Sequence, residues 1–146
     1  MGLDMYLNEK IITNIDCDDD EFVEFENVEG KKKNIQKNKI CCIKVERGYW
    51  RKANAIHNWF VKNVQDGIDN CAQYCVSYEK LCALKYVCEK SLDSLEFARE
   101  NLPTNSNPAF GSQDYDEYYY DYLKSTIEII NSLDKDGLYF YESIAF

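Results

Sequence analysis

The chain of 146 residues contains only six glycines, two prolines and one histidine. So little Gly and Pro excludes collagen-like and low-complexity architectures. With 45% apolar and 29% charged residues, the composition also excludes a disordered chain and suits one globular domain over 1–146. No apolar run approaches the roughly 20 residues that span a bilayer. The opening Met1-Gly2-Leu3-Asp4-Met5-Tyr6 lacks a signal peptide and an acylation signal, so a cytoplasmic setting without a membrane partner is expected. Close Cys-x-x-Cys pairs are missing, as is any glycine-rich phosphate loop, so no metal and no cofactor are expected. A Cys–His hydrolase needs a selected nucleophile, and none of the seven cysteines sits in such a motif. An enzyme is therefore the least favoured class.

What the chain has in abundance is charge, cysteine and tyrosine. The net charge of −9 is unevenly spread: −9 over residues 1–30, +9 over 31–62 and −9 over 63–146. An acidic chain repels a phosphate backbone, so direct nucleic-acid binding is not expected. The same acidity suits competition with nucleic acid for a basic groove on another protein. The lysine run 31–39 reads as a solvated loop, making 16–39 a variable acidic and lysine-rich region. Cys17, Cys41, Cys42, Cys71, Cys75, Cys82 and Cys88 read as reduced, buried packing residues.

Periodicity predicts an α+β fold, a small antiparallel sheet of four to five strands packed on three helices. Short strands are expected at 3–7 and 11–15, broken off by the acidic segment 16–20. Alternation marks another strand at 22–28, and β-branched residues mark one at 40–45, closed by Gly48. A helix is expected from 50 or 51 to about 64, with Ala53, Ile56, Phe60 and Val64 on its core face and Gly67 beyond its end. Residues 74–76 read as a strand. Ser77 then caps a helix over about 78–101, and a third helix covers about 113–133. In that third helix Tyr115, Tyr119, Tyr122, Thr126, Ile129 and Leu133 form a heptad-like seam, and a last strand begins at Leu138. Ile56, Phe60, Leu81, Leu84, Leu92, Tyr122 and Ile129 are the expected core.

Three stretches carry a resemblance: 1–7 (MGLDMYL), 48–61 (GYWRKANAIHNWFV) continuing into 64–67 (VQDG), and 102–104 (LPT) through 111–119 (GSQDYDEYY). In that order they resemble a family of small phage and prophage proteins of unassigned function. The resemblance implies a viral or prophage origin, and small phage accessory proteins often act by binding a host component.

Two candidate sites follow from residue chemistry. On a helix, Trp50, Arg51, Asn54, His57 and Asn58 would share a face distinct from the apolar stripe. An indole, a guanidinium, an imidazole and two carboxamides can stack on and hydrogen-bond to a nucleotide. The second site is Asp114, Asp116, Glu117, Tyr118, Tyr120 and Asp121, where acids and tyrosines suit a protein interface. The leading expectation is a non-enzymatic, phage-encoded binding protein that blocks a host process, in its most concrete form an anti-CRISPR-like inhibitor. Its partner would be a host protein with a basic groove, with a homo-oligomer as a further possibility. The alternative is a module that sequesters a nucleotide or a nucleotide-derived immune signal.

Overall fold

The computed structural model describes residues 2–13, 21–107 and 110–145. The expected acidic break at 16–20, Cys17 and Pro108 lie outside the described residues. The architecture is α+β as expected, with a four-stranded and a two-stranded antiparallel sheet and four helices rather than three among the described residues. The chain divides into two compact units, Met1–Glu9 with Glu46–Phe146, and Lys10–Val45.

The first unit is built on a sheet of order β4-β1-β6-β5, from β1 (Leu3–Ile12), β4 (Cys42–Arg51), β5 (Tyr74–Val76) and β6 (Leu138–Ala145). Alternation places Leu3, Met5 and Leu7 of β1 and Tyr139, Tyr141 and Ser143 of β6 in the buried layer. The strand expected to stop at Gly48 instead runs through it to Arg51. A Cβ at Gly48 would lie 2.7 Å from Ile129 Cγ2, so glycine here admits a crossing helix rather than ending a strand. Trp50 and Arg51 consequently belong to β4 and not to a helix.

Helix α1 spans Asn54–Asn63, and seven of its ten residues are buried: Asn54, Ala55, Ile56, His57, Trp59, Phe60 and Val61. It is covered on more than one side, since the four consecutive residues Asn54 to His57 are all buried; Phe60 stacks on Tyr141 at 3.8 Å and His57 lies edge-on to Phe110 at 5.5 Å. Ser77 caps α2 (Tyr78–Asp93) by accepting from the Lys80 amide, as expected. The single helix expected over 78–101 breaks at Ser94, whose Oγ accepts from Phe97 N and starts α3 (Leu95–Asn101). A serine that can bond its own following turn competes with the continuing ladder.

Helix α4 covers Glu117–Asn131 and begins later than expected. Residues 112–114 are held in another conformation: the Ser112 carbonyl accepts from Asn54 Nδ2 at 2.7 Å, and the Gln113 carbonyl accepts from Thr104 Oγ1 at 2.8 Å. Its seam packs much as the spacing predicts, with Tyr119, Tyr122, Thr126 and Leu133 buried and Tyr115 and Ile129 partly so. Of the other expected core residues Ile56, Phe60, Leu81 and Leu84 are buried, and Leu92 packs against them partly covered.

The second unit contains the hairpin of β2 (Phe22–Glu26) and β3 (Lys32–Gln36), in register from Phe22↔Gln36 to Glu26↔Lys32. The lysine run is therefore partly strand, followed by one 3-10 turn at Lys37–Lys39. The cysteines expected to be buried are corrected too: among the described residues Cys41, Cys42, Cys71 and Cys75 are exposed, Cys82 is intermediate and Cys88 is buried. Two of the exposed four lie in the unit where no described residue is buried at all. No described helix is long and apolar enough to cross a membrane.

Candidate functional site

The five residues expected to share a ligand-binding face do not share one. Asn54 is fully buried; its Nδ2 donates to Ser112 O, and its Oδ1 accepts from Asn105 N at 3.3 Å. The Trp50 indole N–H donates to Thr126 Oγ1 at 2.8 Å. Asn58 lines a cleft of about 200 Å³ with Lys62, Glu100 and Pro103, apart from the others. Arg51 alone of the set is exposed.

His57 is fully buried and both ring nitrogens are engaged, Nε2 with Asp69 Oδ1 at 2.9 Å and Nδ1 with the Tyr141 hydroxyl at 2.6 Å. Burial lowers the imidazole's affinity for a proton, against the opposing pull of Asp69. It also holds the Tyr141 phenol well above its ordinary value, hence protonated. In the neutral ring, Nε2–H donates to the carboxylate and Nδ1 accepts from the phenol. The arrangement has the order of a carboxylate–imidazole–hydroxyl relay, but Tyr141 is fully buried, so its hydroxyl does not reach solvent. The relay ties the segment around Asp69 to β6. Neither Asp69 nor Tyr141 is marked in the sequence, because nothing local announces a carboxylate in a loop or a tyrosine on an inward strand position.

The acidic and tyrosine set fares differently. Asp114, Glu117, Tyr118 and Asp121 are exposed, and Asp121 has no ion pair among the described residues. Asp116 is exposed but caps α4, accepting from Tyr119 N at 3.1 Å. Tyr120 is half-buried beside Leu92. The period of α4 accounts for this: inward positions take Tyr119, Tyr122 and Leu123, leaving Glu117, Tyr118 and Asp121 outward.

Asp121 stands between two open depressions. One, of about 480 Å³, is lined by Leu92, Glu117, Tyr120, Asp121 and Lys124. The other, of about 220 Å³, lies where the end of β4 faces α4. Tyr49, Trp50 and Arg51 line it from the strand, and Tyr118, Asp121, Tyr122 and Ser125 from the helix. One member of each expected set, Arg51 and Tyr118, is joined here: the Tyr118 hydroxyl donates to the Arg51 carbonyl. Tyr49 donates to Asp4 Oδ1 at 2.8 Å, and that carboxylate pushes its phenol up from the ordinary value. Burial does the same for Tyr118. Tyr49, Ser125 and Asp4 are not singled out by the sequence. Ser125 was within reach, since it lies one helical turn after Asp121.

Among the described residues no three His, Cys, Asp or Glu side chains gather as a metal site would require. Comparison with protein-family models, curated proteins and solved structures gives no match.

Proposed function

We propose that the protein is a phage-encoded, non-enzymatic binding protein acting in the cytoplasm of the host cell. It blocks a host process by covering a basic, nucleic-acid-binding groove, as an anti-CRISPR-like inhibitor would. The observation that carries this reading is the exposed face of α4, where Glu117, Tyr118 and Asp121 stand outward and Asp121 has no ion pair among the described residues. Acid groups presented on a rigid helix beside tyrosine rings supply steering charge and low-entropy contact area. The nucleotide-sequestering alternative loses support, since the polar groups of Trp50, Asn54 and His57 are spent within the core.

The test uses purified nucleic-acid-guided host effectors and the protein with Asp114, Glu117 and Asp121 changed to lysine. Capture of an effector by the parent chain should be competed by the effector's own nucleic acid and should weaken steeply with salt. The triple variant should lose capture while keeping its fold. Capture that survives the reversals, or that ignores competing nucleic acid, overturns the reading.

A further inference from the structure

The cleft of about 200 Å³ that Asn58 lines shares no residue with the acidic face of α4. Asn58, Trp59 and Lys62 form one stripe of α1 along it, and Glu100 and Asn101 border it from the end of α3. Its polar groups are unspent. The side chains of Asn58, Lys62 and Glu100 make no hydrogen bond or ion pair with any described residue. Lys62 and Glu100 thus bring opposite charges to one cleft without closing on each other. Trp59 also lines the cleft and is only 8% exposed, yet its indole N–H has no acceptor among the described residues. The Trp50 N–H, by contrast, is bonded to Thr126. A tryptophan buried to that degree usually brings its N–H to a partner.

Open acceptors line the same cleft. Asn63 and Asn101 are the last residues of α1 and α3, and each turns its Nδ2 back onto its own helix. Asn63 donates to Trp59 O at 2.9 Å and Asn101 to Phe97 O at 3.1 Å. Their Oδ1 atoms are left without a donor among the described residues, at two helix ends where the dipole is negative and beside the Glu100 carboxylate. Donors that can hold a carboxylate and acceptors that can hold an ammonium, side by side, suit a zwitterion. At about 30 Å³ per water-sized group the cleft has room for roughly seven non-hydrogen atoms, the size of a small amino acid.

We infer that this cleft binds a small free α-amino acid. Lys62, Asn58 and the Trp59 N–H take its carboxylate, and Glu100 with the two asparagine carbonyls takes its ammonium. The site is separate from the proposed interaction surface, and either can fail alone.

The experiment titrates the intact protein with L-serine and follows the two indole N–H signals by NMR. The Trp59 signal should shift saturably, while the Trp50 signal, bonded inside the core, stays in place as a check on the fold. Ethanolamine, which lacks the carboxylate, and 3-hydroxypropionate, which lacks the ammonium, should each bind at least about tenfold more weakly. Lys62→Met should weaken serine about tenfold and leave ethanolamine unchanged. Glu100→Gln should weaken serine by a similar factor and leave 3-hydroxypropionate unchanged. Both side chains are exposed, so neither substitution threatens the fold. A Trp59 signal that does not move, or that moves without saturating, overturns the inference. Equal binding of the three compounds, or indifference of serine to both substitutions, does so as well.

Discussion

Strands of similar apparent quality meet opposite fates in the two units. In the first, alternation on β1 and β6 puts Leu3, Met5, Leu7, Tyr139 and Tyr141 under helices, each almost wholly buried. In the second, alternation on β2 and β3 puts Val23 and Ile35 opposite each other, yet Val23 is only partly buried, and Ile35 and Phe25, on the same side, are 38% and 44% exposed. None of the described residues of Lys10–Val45 is buried. The hairpin is held by its ladder, by Asn27 Oδ1 accepting from the amides of Glu29 and Lys31, and by exposed ion pairs. A period of two identifies a strand; only a second layer makes it stable, and an isolated hairpin is marginal in water.

The largest test of that contrast sets Phe60→Ala against Phe25→Ala. Phe60 is fully buried between Trp50, Trp59 and Tyr141 rings, so its loss should cost about 3–5 kcal/mol in denaturant unfolding. Phe25→Ala should cost about 0.5 kcal/mol or less, as exposed substitutions do. Similar values for the two would show that the hairpin is covered in solution.

Next in size is the buried relay. Tyr141→Phe leaves His57 Nδ1 without its donor in a buried setting and should cost about 1–3 kcal/mol. The relay also sets a pH dependence. The folded imidazole holds its proton less tightly than the unfolded value of 6.5, so above 6.5 its contribution is fully present. As pH falls below 6.5 the unfolded chain binds the proton first and stability drops, by at most about 1.4 kcal/mol per pH unit from this group. His57→Gln should flatten that slope in melts taken between pH 7 and 5. A slope that survives the substitution would place its origin in other groups.

These residues also mark where the sequence was legible. The expected core, the Ser77 cap, the strand at 74–76 and the outward acids of α4 all follow from local period and capping chemistry, which act within one element. The polar face assigned to Asn54, His57 and Asn58 failed because period separates two faces without saying how many are covered. In α1 the consecutive residues Asn54, Ala55, Ile56 and His57 are all buried, so more than one face is covered. Trp50 and Arg51 were misplaced because a glycine in a strand looks like its end, and only the passage of Ile129 explains Gly48. The aromatic cleft needs β4 beside α4, a fact of topology that neither segment contains.

Smaller still is the effect of ion pairs, where the same interaction occurs in two settings. Lys32 and Glu24 meet at 3.4 Å across the hairpin with side chains 75% and 55% exposed. Arg47 Nε meets Glu9 Oε1 at 2.9 Å in the first unit, with Glu9 only 10% exposed. Water screens the first pair and its side chains stay mobile, so Lys32→Ala should change stability by about 0–1 kcal/mol, and the change should vanish in salt. Removing Arg47 strands a carboxylate that is nearly out of water, so Arg47→Ala should cost more and resist salt. A double-mutant cycle on each pair, at low and high ionic strength, separates the coupling from the packing of the long side chains. If the hairpin pair proves the stronger or the less salt-sensitive, then the charged strands of the second unit are not bathed in solvent, and the contrast between the units fails at its weakest interaction.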